Sequence, residues 1–338
     1  MYRSVHQTGQ MLPTMTELRS TARVVSLPLR QRFRGIDRRE AVLIEGPEGW
    51  TEFSPFLEYD DDESATWLAA ALEFGWKSPV GIFRSRIPVN ATLPAVEPAD
   101  VGAVLDLFPG CRTVKVKVAE LGQTLAEDVA RVREVRAYLG PMGRIRVDAN
   151  GHWNVDEAEH AIHALAGFDL EYVEQPCATV DELGQIRQRV TYMGIPIAAD
   201  ESVRKAADPL VVARSGAADV LVLKAQPLGG ITAALTIAAS AGLPVVISSA
   251  LDTTVGLAMG AHLAAALPSL EFDCGLGTAA LLAADVVEHP LVPFEGTISV
   301  TRPVADSRML DAHAADEART AWWMSRLERC RAVLESRG

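Results

Sequence analysis

From Thr113 to Ala266 the sequence repeats one unit: a short apolar run closing on a polar residue, then a helical pattern. Strands are expected at Thr113–Val118, Ile145–Val147, Tyr172–Val173, Ile197–Ala199, Val220–Leu223 and Val245–Ser248. Helices are expected between and after them, at Thr124–Leu139, Asp156–Leu165, Asp181–Val190, Ile231–Ala241 and Thr254–Ala266. Such alternation implies a parallel sheet with helices packed on it. A closed barrel and an open, doubly wound sheet share that pattern, and spacing separates them. Asp148, Glu174, Asp200 and Lys224 follow successive strands at intervals of 26, 26 and 24 residues. A barrel collects its strand ends around one mouth, whereas an open sheet spreads them along a line. The barrel is the better expectation.

The flanks obey a different rule. Val24–Leu29 and Glu40–Glu45 read as strands, Gly46–Gly49 as a turn, and residues 63–76 as a helix, which together suggest a small α+β unit. Pro290–Pro303 reads as loop or edge strand. Asp316–Leu334 reads as an amphipathic helix with Trp323, Leu327, Cys330 and Leu334 on one face. Residues 1–20 are polar and aperiodic, and are expected to be a disordered extension. The resulting division is 1–20 extension, 21–87 α+β unit, 88–289 barrel, and 290–338 a tail packed on both.

Composition narrows the partners. With 32 Lys and Arg against 44 Asp and Glu, the net charge is −12, which argues against nucleic acid or a membrane surface as partner. A local exception, Arg30, Arg32, Arg34, Arg38 and Arg39, fits one solvated face of a hairpin strand; the functional alternative is a basic lip for an anionic substrate. Four scattered cysteines suggest reduced thiols in a cytoplasmic protein. The N-terminus shows no secretory pattern. Ala225–Leu251 carries no charge, yet Gly229, Gly230, Gly242 and Pro244 interrupt it, so a loop, a helix and a buried strand explain it better than a membrane span.

The chemistry concentrates in Lys117, Asp148, Glu174, Asp200 and Lys224. Three acids converging at one mouth repel one another unless a cation lies between them, and oxygen ligands suit Mg²⁺ or Mn²⁺. His160 and His163 fall on an exposed helix, so zinc is not expected. Alternation puts Lys115 and Lys117 on the same inward face. Clustered positive charge depresses at least one lysine toward the range where it serves as a base. A metal-bound carboxylate flanked by such bases is the apparatus for removing an α-proton. Gly229-Gly230 opens a helix and offers an anion site or simply a tight loop. Gly275-Leu276-Gly277 lacks the third glycine of a dinucleotide fingerprint.

Lys-x-Lys, Asp-x-Asn, Glu-Gln-Pro, Ala-Asp-Glu-Ser and the following strand-end lysine resemble, in order, the muconate-lactonizing branch of the enolase superfamily. Gly49–Tyr59, Val89–Thr92, Ser248–Asp252 and Gly275–Thr278 resemble segments of actinobacterial-type o-succinylbenzoate synthases. The resemblance implies a modified (β/α)7β TIM-like barrel under an α+β capping domain, built from the N-terminal part and the C-terminal tail. It implies Mg²⁺ on Asp148, Glu174 and Asp200. Lys117 would take the α-proton through a metal-stabilised enediolate, and Lys224 would stabilise the charge from the other face. The implied reaction is dehydration of 2-succinyl-6-hydroxy-2,4-cyclohexadiene-1-carboxylate to o-succinylbenzoate, in menaquinone synthesis. A racemase of N-succinylamino acids or a dipeptide epimerase would use the same two lysines. Lys115, Arg146, Glu201, Ser248, Ser249 and Gly275 are expected to contact the small carboxylate substrate or support the residues that do. Asn150 and Gln175 either orient ligands or are structural, and Phe53 and Phe56 either wall the substrate from the cap or pack within it. A monomer is implied.

Overall fold

The computed structural model describes residues 12–205 and 208–337. Thr14 opens α1 (Met15–Thr21): its hydroxyl accepts from the Glu17 amide, and the Glu17 carboxylate accepts from the Thr14 amide at 2.7 Å. This reciprocal cap, with Leu18 buried in an apolar cluster, corrects the expectation of disorder for the segment from Thr14 onward. Residues 1–11 lie outside the described residues. Strands β1 (Arg23–Phe33), β2 (Ile36–Gly46) and β3 (Gly49–Phe53) form an antiparallel sheet in that order, followed by α2 (Asp61–Trp76).

The hairpin is longer than its apolar runs suggest, because Phe33 pairs with Ile36 around a two-residue turn at Arg34-Gly35. Arg30, Arg32 and Arg38 are exposed as expected, but Arg39 is only 3% exposed. Its guanidinium donates to the carbonyls of Leu251 and Ser54, so it joins two parts of the fold instead of facing solvent.

After β4 (Arg86–Pro88) the barrel begins with β5 (Ala91–Leu93) and the short helix α3 (Val101–Leu105). It continues through β6 (Thr113–Lys117), α4 (Leu125–Leu139), β7 (Arg144–Asp148), α5 (Val155–Leu165), β8 (Leu170–Glu174), α6 (Val180–Val190) and β9 (Ile197–Ala199). Then come α7 (Glu201–Arg204), α8 (Val211–Ser215), β10 (Val220–Leu223), α9 (Ile231–Ala241), β11 (Val245–Ile247) and α10 (Thr254–Ala266). The parallel strands lie in the order β11-β10-β9-β8-β7-β6-β5. The curled sheet closes through Cys274-Gly275. Cys274 bridges Val89 and Gly275 bridges Ser248, both in parallel sense, which makes the eighth strand of a (β/α)7β barrel.

Local sequence explains the regularity. Thr124, Asn154 and Thr179 each cap a helix in reciprocal exchange with the glutamate three residues on. Helix α10 is buried at all its positions, because it lies between barrel and cap. The uncharged stretch Ala225–Leu251, which ends before α10, divides as expected into a loop, α9 and β11. Among the described residues no helix is long and apolar enough to cross a membrane.

The tail returns through β12 (Thr297–Ser299), which pairs with β4 as the expected edge strand, α11 (Ser307–Ala312) and α12 (Glu317–Arg337). Helix α12 packs on α2, and Trp323 stands edge-on to Phe53 with ring centroids 6.0 Å apart. The cap core therefore joins both ends of the chain.

Candidate active site

Strand register builds the site. In β6, Thr-Val-Lys-Val-Lys alternates, so Lys115 and Lys117 share the inner face. Lys117 lies in register with Asp148, and Asp148 with Glu174. Asp200 and Lys224 stand one residue beyond β9 and β10. All five sequence-picked groups thus meet at the C-terminal mouth, and the three acids are at most 1% exposed.

The lysines thread between the acids. Lys115 Nζ lies 2.7 Å from Glu174 Oε1 and 3.2 Å from Asp148 Oδ2. Lys117 Nζ donates to Asp148 Oδ2 at 2.5 Å and to Asn150 Oδ1 at 2.8 Å. Lys224 Nζ donates to Asp200 Oδ2 at 2.5 Å. Burial, reinforced by Lys115, lowers Lys117 below the ordinary lysine value despite the charge of Asp148. Burial also works against Lys115, but the charges of Glu174 and Asp148 hold it well above that value. Burial and the neighbouring Asp148 charge push Glu174 up to about 7. Asp148 stays well below the usual carboxylate range: burial opposes this, and Lys117 and Lys115 outweigh it. The two lysines of one strand therefore differ, Lys117 holding its proton less tightly than Lys115.

Supporting residues hold this row in place. Asn150 donates from its backbone to Asp148 Oδ1 and from its side chain to Glu201 Oε1 at 3.2 Å. Gln175 Oε1 accepts from the backbone amides of Asp200 and Ser202, fixing the turn into α7. Asn150 and Gln175 have φ of 48° and 39°, strained values that recur where a scaffold holds functional groups. Glu201 begins α7 and points back toward Asn150, so helix geometry sets its direction, not strand alternation.

Above the row lies a cleft lined by Lys115, Lys117, Asn150, Lys224, Ser248, Ser249 and Gly275 from the barrel. Ser249 Oγ donates to the Gly275 carbonyl at 2.8 Å, so this wall is braced across the closing strand. The cap contributes Phe33, Arg34 and Phe56. One open expectation is decided and one is corrected. Phe53 is fully buried against Trp323 and serves the cap core, not the cleft. Arg146 lies a layer below the mouth, where it pairs with Glu171 at 2.5 Å, donates to Asn90 and Asp273, and faces Tyr172. Sequence reasoning flagged the segments that hold Thr92, Leu251 and Thr278 without singling those residues out, and it missed Arg204. Arg204 is buried and links Asp200 and Glu201 to the Tyr59 hydroxyl of the cap at 2.7 Å. Its position four residues after Asp200, one helical turn on, was the available signal.

Comparison with known proteins places this geometry. Residues 104–305 match the Enolase C-terminal domain-like family and residues 24–75 the Enolase N-terminal domain-like family. The curated o-succinylbenzoate synthase of Mycobacterium marinum is 54% identical over 96% of this chain and 97% of its own length. The chain belongs to the o-succinylbenzoate synthase family. In fold it also matches the muconate lactonizing enzyme of Pseudomonas putida, with a TM-score of 0.71 at 20% identity, covering 87% of this chain and 98% of that one. The N-succinyl Arg/Lys racemase of Bacillus cereus matches with a TM-score of 0.71 at 18% identity, covering 88% and 97%.

Enolase-superfamily enzymes generally use a divalent metal, and the donor set can be tested for it. Glu174 Oε2 is buried without a hydrogen-bond partner, a costly state unless a cation satisfies it. Three buried carboxylates and no histidine suit a hard cation. As placed, no three such side chains among the described residues close around one point, because lysine ammonium groups stand between the acids. The residues fit a divalent ion in their donor chemistry, while the three lysines already balance the charge of the three acids.

Proposed function

We infer that this o-succinylbenzoate synthase family member catalyses Mg²⁺-dependent dehydration of 2-succinyl-6-hydroxy-2,4-cyclohexadiene-1-carboxylate to o-succinylbenzoate. The observation that carries the reading is full-length identity of 54% to a curated synthase, joined to a complete acid and lysine set at the barrel mouth. Asp148, Glu174 and Asp200 would hold Mg²⁺, with Mn²⁺ able to substitute. When bound, the ion supplies positive charge against the substrate carboxylate as the α-proton leaves. Lys117 Nζ takes that proton in its neutral form. The ring carbanion electrons form the new C=C bond as the C–OH bond breaks, and Lys117 returns the proton to the departing hydroxyl, releasing water. Lys224, held by Asp200 across the cleft, stabilises the developing anion. Asn150 orients Lys117 through their 2.8 Å hydrogen bond.

Residues 21–87 and 290–338 act as a cap that shapes the substrate space over a barrel of residues 88–289. The small-molecule substrate, the acidic surface and the unpaired cysteines support a cytoplasmic, monomeric enzyme of menaquinone synthesis without nucleic-acid or membrane partners. Loss of the diene absorbance by the purified protein, with Mg²⁺ but not with chelator, tests the reading. Racemisation of N-succinylamino acids without dehydration would replace it with the racemase alternative, which needs the same opposed lysines.

A further inference from the structure

Charge matching in the cleft leaves one cation over. Lys115, Lys117 and Lys224 are each in ion pairs with Asp148, Glu174 or Asp200 at 2.5–3.2 Å. Arg34 also lines the cleft, yet its nearest acid is Glu58 at 3.9 Å, whose side chain is 61% exposed. Among the described residues, no hydrogen bond reaches the Arg34 guanidinium. The group is nonetheless held in place: its Cζ sits 4.3 Å from the centroid of the buried Phe56 ring. Arg39 lies over the same ring at 4.6 Å, but Arg39 spends its donors on Leu251, Glu40 and Ser54.

The backbone gives a second, independent reason to single out Arg34. Arg34 and Gly35 have φ of 49° and 77° between the paired residues Phe33 and Ile36. A two-residue turn with both φ positive favours Asn, Asp or Gly at its first position. Arginine there carries backbone strain, so turn chemistry does not explain the side chain. A strained non-glycine residue that aims an unmatched fork of donors into a cleft has the features of a ligand clamp.

We propose that Arg34 binds a second carboxylate of the substrate, the one remote from the reacting carbon, and thereby selects dicarboxylates over monocarboxylates. The assignment rests on the proposed reaction only for which dicarboxylate is bound. The acid and lysine row at the barrel mouth engages one carboxylate, and Arg34, approaching from the cap, engages the other through paired N–H donors. Ser248 and Ser249, on the barrel wall of the same cleft, complete a polar surround. A lysine could supply the charge at this position but not the planar fork.

The test uses the full chain with Mg²⁺ and two probes, o-succinylbenzoate and its monoester at the succinyl carboxylate. Dissociation constants are measured calorimetrically for the unaltered protein, Arg34→Asn and Arg34→Lys. Arg34→Asn should weaken the diacid roughly 10- to 100-fold, Arg34→Lys should recover part of that loss, and the monoester should bind all three proteins alike. Because asparagine suits the turn, the Arg34→Asn protein should unfold at an equal or higher temperature, which separates ligand binding from a structural role. Equal diacid affinity in all three proteins, an equal loss for both probes, or no diacid binding by the unaltered protein would overturn the proposal. Dehydration assayed on the same preparations judges the reaction itself, so a protein that binds the diacid through Arg34 yet dehydrates nothing would contradict only the proposed function.

Discussion

The barrel and the cap reach the same cleft by different routes. The three acids, Lys117 and Lys224 stand at or one residue beyond strand ends, with Lys115 one layer deeper in β6. Their neighbours are set by register one strand away, as those of Lys117, Asp148 and Glu174 are. The cap reaches over by contacts distant in sequence. Arg39 meets the Leu251 carbonyl across 212 positions, Glu52 meets Thr253 across 201, and Tyr59 meets Arg204 across 145. Barrel geometry is therefore repetitive and local, while cap geometry depends on a few long-range polar links. Reactive groups belong where the backbone fixes them most firmly, and the adjustable part of the pocket belongs to the cap.

If that division is right, substitutions in the two regions fail differently. Lys117→Ala and Lys224→Ala should each lower turnover by at least about 10²- to 10⁴-fold while the thermal unfolding curve stays in place. A loss of fold in either would show that the row is structural. In the cap, Trp323→Ala removes a fully buried ring from the core shared with Phe53 and should cost about 3–5 kcal/mol by chemical unfolding. A cost below about 1 kcal/mol would mean that the tail does not hold the cap together.

The junction should also respond to pH. Burial first, then the Glu52 charge, pushes Asp252 up to about 7. An unfolded chain releases that proton near the ordinary value of 3.8, so folding retains a proton that unfolding would lose. Stability should then fall as pH rises from about 4 to about 7, by on the order of 1–4 kcal/mol, and Asp252→Asn should flatten the slope. An unchanged slope in the variant would place the titration elsewhere. Smallest of all, Tyr59→Phe removes one hydrogen bond to Arg204. It should raise the Mg²⁺ concentration for half-maximal activity by roughly tenfold or less, in line with a bond to a charged group.

How much of this was legible in the sequence follows the same divide. The β–α period, the strand-end intervals and the site row were readable because register turns spacing into proximity. Helices at Ile231–Ala241 and Thr254–Ala266 appear with the expected bounds. Phe53 stayed open between cleft wall and cap core, because an aromatic at a strand end fits either; only the docking of Trp323 from the far end of the chain decides between them. Arg39 was misread for the same reason, since its partners lie at Ser54 and Leu251. Thr14–Glu17 was overlooked although its cap pattern is local, because a polar segment of one short helix carries too little hydrophobic period to register. Arg34 was visible as part of a basic run, but its departure from that run came only from the turn geometry.

Magnesium binding tests the central claim, that the strand-end acids form one cation site within the lysine row. Titration calorimetry on the unaltered protein should show one Mg²⁺ per chain, and Glu174→Gln, which removes the orphaned carboxylate oxygen's charge, should bind it at least tenfold more weakly without loss of fold. Unchanged Mg²⁺ affinity in that variant, or none in the unaltered protein, would contradict the account.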